Sequence, residues 1–180
     1  MIREERAVET AEDLNRDRRF MEEALRLAKE AAEAGEVPIG CVITLGDKIV
    51  GRGRNCRETG KNALGHAEIL AIDQACRTLG GWRLWQCRLY VTLEPCPMCA
   101  GAIINARIPV VVYGARDPKA GSVDSVAQLF ACGYNHRPQV VSGVLESECA
   151  ALLRTFFRTL RTKKQRKREH GNAADIPPEC

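Results

Sequence analysis

Apolar residues recur every three or four positions early in the chain and then give way to shorter apolar runs. Residues 17–34 show this helical spacing, which predicts a helix that Gly35 ends. Residues 39–45 and 48–53 are rich in strand-forming side chains and flank Gly46-Asp47, so they predict a β-hairpin. The first third of the chain therefore predicts a helix followed by two antiparallel strands.

Helix-like and strand-like segments alternate through the rest of the chain. In order they are a helix from His66, a buried strand at 88–92, a helix after Pro97, a buried strand at 110–113, a short helix near 124–130, a weak strand at 139–141 and a last helix from about residue 146. Strands separated by helices predict an α/β fold with a mixed or parallel sheet covered on both faces. We expect one domain over residues 17–164, a polar lead at 1–16 and a basic to disordered tail at 165–180.

Two short motifs stand at the predicted starts of two helices. A His-Ala-Glu motif contains His66 and Glu68, and a Pro-Cys-Pro-Met-Cys motif contains Cys96 and Cys99. One imidazole and two thiolates make three ligands, the number typical of a catalytic zinc ion that keeps a fourth position for water. Glu68 would then shuttle protons while the zinc-activated water attacks a ring carbon that bears an amino group. The pair of motifs predicts a zinc-dependent hydrolytic deaminase.

A structural zinc site or a redox pair is the alternative interpretation of the two cysteines. A structural site needs a fourth protein ligand, for which Cys41, Cys56, Cys132 and Cys149 are the candidates. Such a chain would be a zinc-stabilised RNA-binding module without catalysis.

The net charge of +4 conceals a strongly basic C-terminal segment. Residues 154–168 carry eight lysines and arginines and no acidic residue, so the rest of the chain is net acidic. Cations at a helix end complement the helix dipole, which makes a solvated helix end the simplest explanation. Eight charges exceed what that role needs, and they favour a polyanionic partner such as RNA.

Cysteine usage and hydropathy predict a cytoplasmic protein without a membrane segment. The chain has nine cysteines and no apolar core near its N-terminus, so we expect reduced thiols and no signal peptide. No apolar run approaches the roughly 20 residues that a transmembrane helix requires.

The chain from about residue 20 to residue 161 resembles the bacterial tRNA-specific adenosine deaminases of the cytidine-deaminase-like superfamily. The segments that carry the resemblance are residues 36–40 (EVPIG), 66–69 (HAEI), 92–103 (TLEPCPMCAGAI), 112–121 (VYGARDPKAG), 135–137 (NHR), 148–150 (ECA) and 156–158 (FFR). The resemblance implies a three-layer α/β/α sandwich with a mixed five-stranded sheet. It also implies a homodimer with one zinc per subunit that converts the wobble adenosine in a tRNA anticodon stem-loop, typically of an arginine tRNA, to inosine.

Carried over position by position, the resemblance also implies contacts around the substrate. Asn55 would hold the nucleoside, and the Ala67 amide and Glu68 would read the base edge. The other contacts are pocket walls at Val37 and Pro38, flanking-nucleotide contacts at Asp117, Asn135 and Phe157, and phosphate contacts at Arg158 and Arg161. Without the resemblance, structural roles fit several of these positions: a turn at Val37-Pro38, turns at Asp117 and Asn135, and a core position at Phe157.

A deaminase that acts on a free base or nucleoside is the second hypothesis. Guanine, cytosine and adenosine deaminases would use the same zinc ligands and the same Glu68, so the two motifs do not separate them from an RNA-editing enzyme. Only the residues expected to contact flanking nucleotides favour RNA.

Overall fold

Four helices and five strands make up residues 10–171, the part of the chain that the computed structural model describes. The elements are α1 (Ala11–Glu33), β1 (Gly40–Leu45), β2 (Lys48–Arg54), α2 (Ala67–Leu79), β3 (Cys87–Leu93), α3 (Pro97–Ala106), β4 (Val110–Ala115), β5 (Gln139–Ser142) and α4 (Glu146–Gly171). None of these helices combines the length and the apolar character that crossing a bilayer requires.

The strands form one mixed sheet in the order β2-β1-β3-β4-β5. The pairs β1–β2 and β1–β3 are antiparallel, and the pairs β3–β4 and β4–β5 are parallel. The predicted hairpin is therefore present, and α3 is the crossover between the parallel strands β3 and β4. The mixed five-stranded sheet expected from the sequence is confirmed.

Helices cover both faces of the sheet because successive strand residues point to opposite sides. Val42, Tyr90 and Val112 pack in one apolar cluster with residues of α1 and α4. Their strand neighbours Cys41 and Val91 pack in a second cluster with residues of α2 and α3. The result is the three-layer α/β/α sandwich that the sequence predicts.

Glycines in β2 let α2 lie unusually close to the sheet. A Cβ atom at Gly53 would stand 2.0 Å from the Ala67 carbonyl oxygen, and one at Gly51 would stand 2.3 Å from the Ala71 carbonyl oxygen. Only a residue without a side chain fits at either position. This close approach holds the N-terminus of α2, where His66 is the N-cap, over the end of β2.

Helix α1 begins at Ala11, six residues before the start that the sequence predicts. Thr10 and Asp13 form a capping box, in which each side chain accepts from the other residue's backbone N–H. The apolar periodicity misses this first part because its turns are polar. Residues 10–16 therefore belong to the folded domain rather than to a loosely ordered lead.

Two other boundaries differ from the sequence prediction. Residues 124–128 are not helical, and a single 3-10 turn, Leu129–Ala131, stands at the end of the predicted short helix. The predicted tail from residue 165 is helical as far as Gly171, because α4 continues through the basic segment. The last nine residues, also predicted to be disordered, lie outside the described part of the chain.

Candidate metal centre and substrate cleft

The three residues predicted to bind zinc come together where α2 and α3 begin. His66 is the N-cap of α2, Cys96 is the N-cap of α3, and Cys99 lies in the first turn of α3. His66 Nδ1 lies 3.7 Å from Cys96 Sγ and 3.6 Å from Cys99 Sγ. Pro97 occupies the first turn of α3, where its missing N–H costs nothing.

These distances fit a zinc ion in tetrahedral coordination. Zinc–sulfur bonds of about 2.3 Å and zinc–nitrogen bonds of about 2.05 Å put nitrogen and sulfur roughly 3.6 Å apart. The two measured nitrogen–sulfur distances are 3.6 Å and 3.7 Å. The donor set and its spacing therefore suit a metal ion of this kind.

The electrostatics of the cysteine pair favour thiolate. The Cys99 thiol donates to Cys96, and this contact, opposed by burial and helped by backbone N–H groups and His66, lowers the pKa of Cys96 to about 5. The same contact, with burial, raises the pKa of Cys99 above its usual value. The protein groups alone thus hold one thiolate beside one thiol at a helix N-terminus, and a cation would allow both to ionise.

The structural-zinc hypothesis needs a fourth ligand near these three. Among the residues whose side chains are described, the metal-ligand cluster contains His66, Cys96 and Cys99 and no other. Cys149 lies in the apolar cluster on the opposite face of the sheet, and Cys132 is exposed. A three-ligand set is the arrangement of catalytic rather than structural zinc.

Glu68 lies in the first turn of α2 and is 4% exposed. Burial, with a smaller contribution from the Cys96 thiolate, raises the pKa of its carboxyl to about 7. A carboxyl with this pKa can both accept and release a proton near neutral pH.

A cleft of about 890 Å³ opens onto His66. Its lining comes from the loop before β1, the loops after β2 and β4, and the exposed side of α4. Six cationic residues and one acidic residue line it, so the cleft is strongly basic: Arg57, Arg116, Lys119, Arg154, Arg158 and Arg161 against Asp117. Such a surface attracts a polyanion.

Asn55 lines this cleft with its side-chain amide held in one orientation. Its Nδ2 donates to Glu36 Oε2 at 3.1 Å, while the Thr59 backbone N–H donates to Glu36 Oε1 at 2.6 Å. An ionised carboxylate only accepts hydrogen bonds, so the Asn55 nitrogen must face Glu36. Asn55 therefore offers its oxygen, an acceptor, to the cleft.

Six of the residues expected to contact substrate line the cleft together with His66: Val37, Asn55, Asp117, Phe157, Arg158 and Arg161. Phe157 is 41% exposed, so the alternative of a core position is wrong. Asp117 is also the turn residue that the sequence suggests, because its Oδ1 accepts from the backbone N–H groups of Lys119 and Ala120.

Three expected contact residues do not line the cleft. Pro38 and Ala67 are buried, and each directly follows a cleft-lining residue in the sequence, Val37 and His66 respectively. Asn135 is exposed in the loop before β5, where its Oδ1 accepts from Arg107 Nη1 at 2.8 Å. This contact joins two distant side chains, so it is not an Asx turn, the structural role that Asn135 could have without the resemblance.

Sequence reasoning missed the two buried carboxylates that support the cleft. Glu36 is completely buried and Glu94 is 2% exposed, although glutamate is seldom buried. Glu36 precedes Val37-Pro38, and Glu94 precedes the cysteine motif. A glutamate directly beside a predicted site motif was the available signal.

The sandwich fold and a His-Cys-Cys cluster beside a buried glutamate are the features of deaminases that act on ring amino groups. Comparisons with known proteins agree. A family model described as MafB19-like deaminase matches residues 15–161. The tRNA-specific adenosine deaminase of Bacillus subtilis (strain 168) is 49% identical over 158 residues, which are 87% of this chain and 98% of that protein.

Solved structures extend the likeness to the fold. A structure from a study of A-to-I editing by tRNA:A34 deaminases has a TM-score of 0.73 and 47% identity, covering 75% of this chain and 99% of that one. A guanine deaminase from Nitrosomonas europaea has a TM-score of 0.62 and 25% identity, covering 84% and 86%. This chain belongs to the MafB19-like deaminase family. Its resemblance to the tRNA-specific adenosine deaminases is confirmed.

Proposed function

We propose that this protein hydrolyses the wobble adenosine of a tRNA anticodon, typically of an arginine tRNA, to inosine and ammonia. The observation that carries the proposal is the three-ligand cluster of His66, Cys96 and Cys99, which opens through His66 into a basic cleft. The 49% identity to a tRNA-specific adenosine deaminase supports the same substrate.

The cluster suits one zinc ion per subunit, held by His66, Cys96 and Cys99. Zinc would supply Lewis-acid activation of water at the position that the protein leaves open. Glu68 takes one proton from the attacking water and passes it to the ring nitrogen. It then takes the second proton, from the hydroxyl now on the ring carbon, and passes it to the amine, which leaves as ammonia while the carbonyl of inosine forms. A positioned acid–base group of this kind contributes roughly 100- to 10,000-fold in rate.

The cleft suits an adenosine presented from a single-stranded loop. A base inside a duplex cannot reach a recessed site, whereas a base splayed out of a loop can enter with its Watson–Crick edge first. In this proposal Val37 walls the entry, the Asn55 oxygen accepts from the nucleoside, and Glu68 reads the base edge. Pro38 and the Ala67 amide belong to the same proposal, although neither residue lines the cleft in this structure.

The surroundings of the cleft suit the rest of the anticodon loop. Asp117, Phe157, Arg158 and Arg161 line the cleft. In this proposal Asp117 and Phe157 contact the flanking nucleotides, and the two arginines contact phosphates. Asn135 belongs to the same proposal, although its present partner is Arg107. RNA binding at Asn135 would require that hydrogen bond to be exchanged.

A free-base or nucleoside deaminase is the second candidate, because a guanine deaminase shares the fold. A small neutral ring needs an enclosed pocket rather than a broad cleft lined by six cations. The basic lining therefore favours the polynucleotide.

A homodimer is part of the proposal and follows from the resemblance alone. Sedimentation of the purified protein tests it, and a single species of monomer mass at micromolar concentration would contradict it. The cytoplasmic location expected from the sequence follows from a tRNA substrate and stays a prediction.

The deciding experiment measures deamination by the purified, zinc-loaded protein. The substrates are an arginine-tRNA anticodon stem-loop with adenosine at the wobble position, the same stem-loop with adenosine one position away, and free adenosine, cytidine, cytosine and guanine. We expect inosine only at the wobble position. Turnover of a free base or nucleoside with the stem-loop unchanged would discard the RNA substrate and keep the zinc chemistry.

A further inference from the structure

Glu94 joins the metal-ligand turn to the wall of the cleft through a single buried carboxylate. The residue directly precedes Pro95 and Cys96, and its own backbone N–H donates to the Ala115 carbonyl at 2.9 Å. The carboxylate accepts hydrogen bonds from a loop of residues 117–125, which we call the cleft loop. Asp117 and Lys119, at the start of this loop, line the cleft.

The two carboxylate oxygens together hold both ends of the cleft loop. Oε1 accepts from the backbone N–H groups of Val123, Asp124 and Ser125 at 3.2, 2.8 and 2.9 Å. Oε2 accepts from the Asp117 backbone N–H at 3.0 Å and from the Ser125 hydroxyl. The cleft end of the loop therefore depends on Oε2.

The loop also packs tightly around the carboxylate. A Cβ atom at Gly121 would lie 2.4 Å from the Glu94 carboxyl carbon and 2.6 Å from the Asp117 carbonyl oxygen. The Ser122 backbone N–H donates to the Pro95 carbonyl at 2.9 Å. Five N–H and O–H donors converge on the two oxygens, an arrangement that fits an ionised carboxylate because it only accepts hydrogen bonds.

We infer that Glu94 is a positioning residue for substrate binding: through Oε2 it sets the place of Asp117 at the cleft relative to the turn that carries Cys96. The inference rests on the proposed RNA substrate. Glu94 is neither a cleft-lining residue nor a member of the His66-Cys96-Cys99 cluster, and it acts through the Asp117 backbone. Its contribution falls on binding of the nucleic acid rather than on the chemical step.

The variant Glu94→Gln tests this inference because glutamine has one acceptor oxygen where glutamate has two. The three N–H groups at Oε1 retain that oxygen, and the Ser125 hydroxyl can rotate to accept from the new amide. The Asp117 N–H then faces an NH₂ group and no longer has an acceptor. We expect about tenfold faster hydrogen exchange at the Asp117 amide, with exchange at residues 123–125 unchanged.

The kinetic signature is a split between binding and turnover. We expect KM for the anticodon stem-loop to rise about tenfold, while kcat and zinc content stay near those of the unsubstituted protein. A fall of about tenfold in kcat with KM unchanged would overturn the inference.

Ser125→Ala is the matched control, because it removes a donor from the same Oε2 atom and leaves the Asp117 hydrogen bond in place. We expect a lower melting temperature but an unchanged KM. A rise in KM that follows stability equally in both variants would show a merely structural role and overturn the inference.

Two further arms keep the test decisive. If Glu94→Gln does not fold, Gly121→Ala displaces the cleft loop with Glu94 intact, and an unchanged KM there would contradict the inference. If the unsubstituted protein does not deaminate the stem-loop, the proposed function has failed. The exchange experiment on the free protein then still decides whether Glu94 holds Asp117.

Discussion

The proposed proton shuttle, Glu68, is a single side chain in the first turn of α2. Glu68 is almost completely buried, and burial raises its pKa to about 7. Because Glu68 lies two residues after His66 on the same rigid helix, a metal ligand and an acid–base group are positioned by one element. A substitution at Glu68 should therefore affect the chemical step and leave metal binding intact.

We expect Glu68→Gln to retain zinc and the fold while inosine formation falls by roughly 100- to 10,000-fold. Glutamine keeps the volume of the side chain but cannot take up the proton of water. Turnover of the stem-loop measures the loss of inosine formation, and atomic absorption measures whether zinc is retained.

The control is Glu22→Gln, which alters an exposed glutamate paired with Arg18 on α1 and leaves the cleft untouched. Full activity in Glu68→Gln would remove its assigned role.

Glu36 gives a prediction about pH. Burial opposes its ionisation, but the Thr59 and Glu58 backbone N–H groups and Arg57 lower the pKa of the carboxyl below its usual value of 4.5. A lowered folded-state pKa stabilises the protein above the unfolded-state pKa, and the gain is lost as pH falls through the folded-state value. We expect Glu36→Gln to cost about 1–3 kcal/mol of unfolding free energy at pH 7, and less below about pH 4.5.

Urea unfolding of both proteins between pH 7 and pH 3 measures this difference. The Glu22→Gln variant, altered at a solvated position, should show a small and nearly pH-independent difference. A constant cost for Glu36→Gln across this range would mean that the carboxylate charge does not contribute.

At the scale of elements, α4 divides into a packed half and an exposed half. Cys149 is buried and Leu152, Leu153 and Phe156 are partly buried, whereas every residue from Phe157 to Arg166 is exposed. Ten residues of helix span about 15 Å, so the basic segment projects along and beyond the cleft wall. Its first arginines already line the cleft.

We expect removal of residues 162–180 to weaken binding of the stem-loop and to flatten its dependence on salt. Each phosphate that the shortened protein no longer neutralises lowers the slope of log K against log salt by about 0.7–0.9, because fewer counterions are released. Fluorescence anisotropy across a salt titration measures both quantities.

A full-length comparison separates charge from length. We expect part of the loss in stem-loop affinity from the double variant Lys163→Gln, Lys164→Gln. We expect no loss from the double variant Arg18→Gln, Lys29→Gln, which alters the exposed side of α1. Unchanged binding in the truncated protein would make the basic segment a solvated helix end.

At the scale of the whole molecule, the candidate metal centre joins elements that are far apart in sequence. The ligands come from α2 and from the turn and first residues of α3, and about 30 residues, including β3, lie between them. An ion that binds the folded chain and not the unfolded one stabilises the fold by a free energy that grows with the logarithm of its concentration divided by its Kd.

We expect chelation of zinc to abolish activity and to lower the melting temperature by several degrees, and returned zinc to restore both. Calorimetry with and without chelator measures the shift.

In Cys96→Ala the melting temperature should no longer depend on zinc. In Cys132→Ala, which alters an exposed thiol outside the cluster, the dependence should remain. A chelator-insensitive melting temperature in the unsubstituted protein would contradict a resident metal ion.

Elements with strong periodicity were predictable from the sequence, and irregular ones were not. The hairpin, the metal-ligand helices and the last helix follow from local patterns that the tertiary structure reinforces. The start of α1 was missed because a capping box, not apolar spacing, defines it. Residues 124–130 were expected to be helical, but the Val126 and Ala127 backbone N–H groups both donate to the Gly121 carbonyl, and the Leu129 N–H donates to the Ser122 carbonyl, instead of pairing with the carbonyls four residues earlier.

By itself the sequence indicated the candidate metal-ligand residues, the candidate proton shuttle Glu68 and the α/β fold class, because each depends on residue type and short spacing. Only the tertiary structure decided which expected contacts share one cleft, since the cleft is built from segments more than 100 residues apart. It also decided the roles of Glu36 and Glu94. The role of a buried carboxylate depends on the hydrogen-bond donors that surround it. Those donors come from loops that the sequence alone does not bring together.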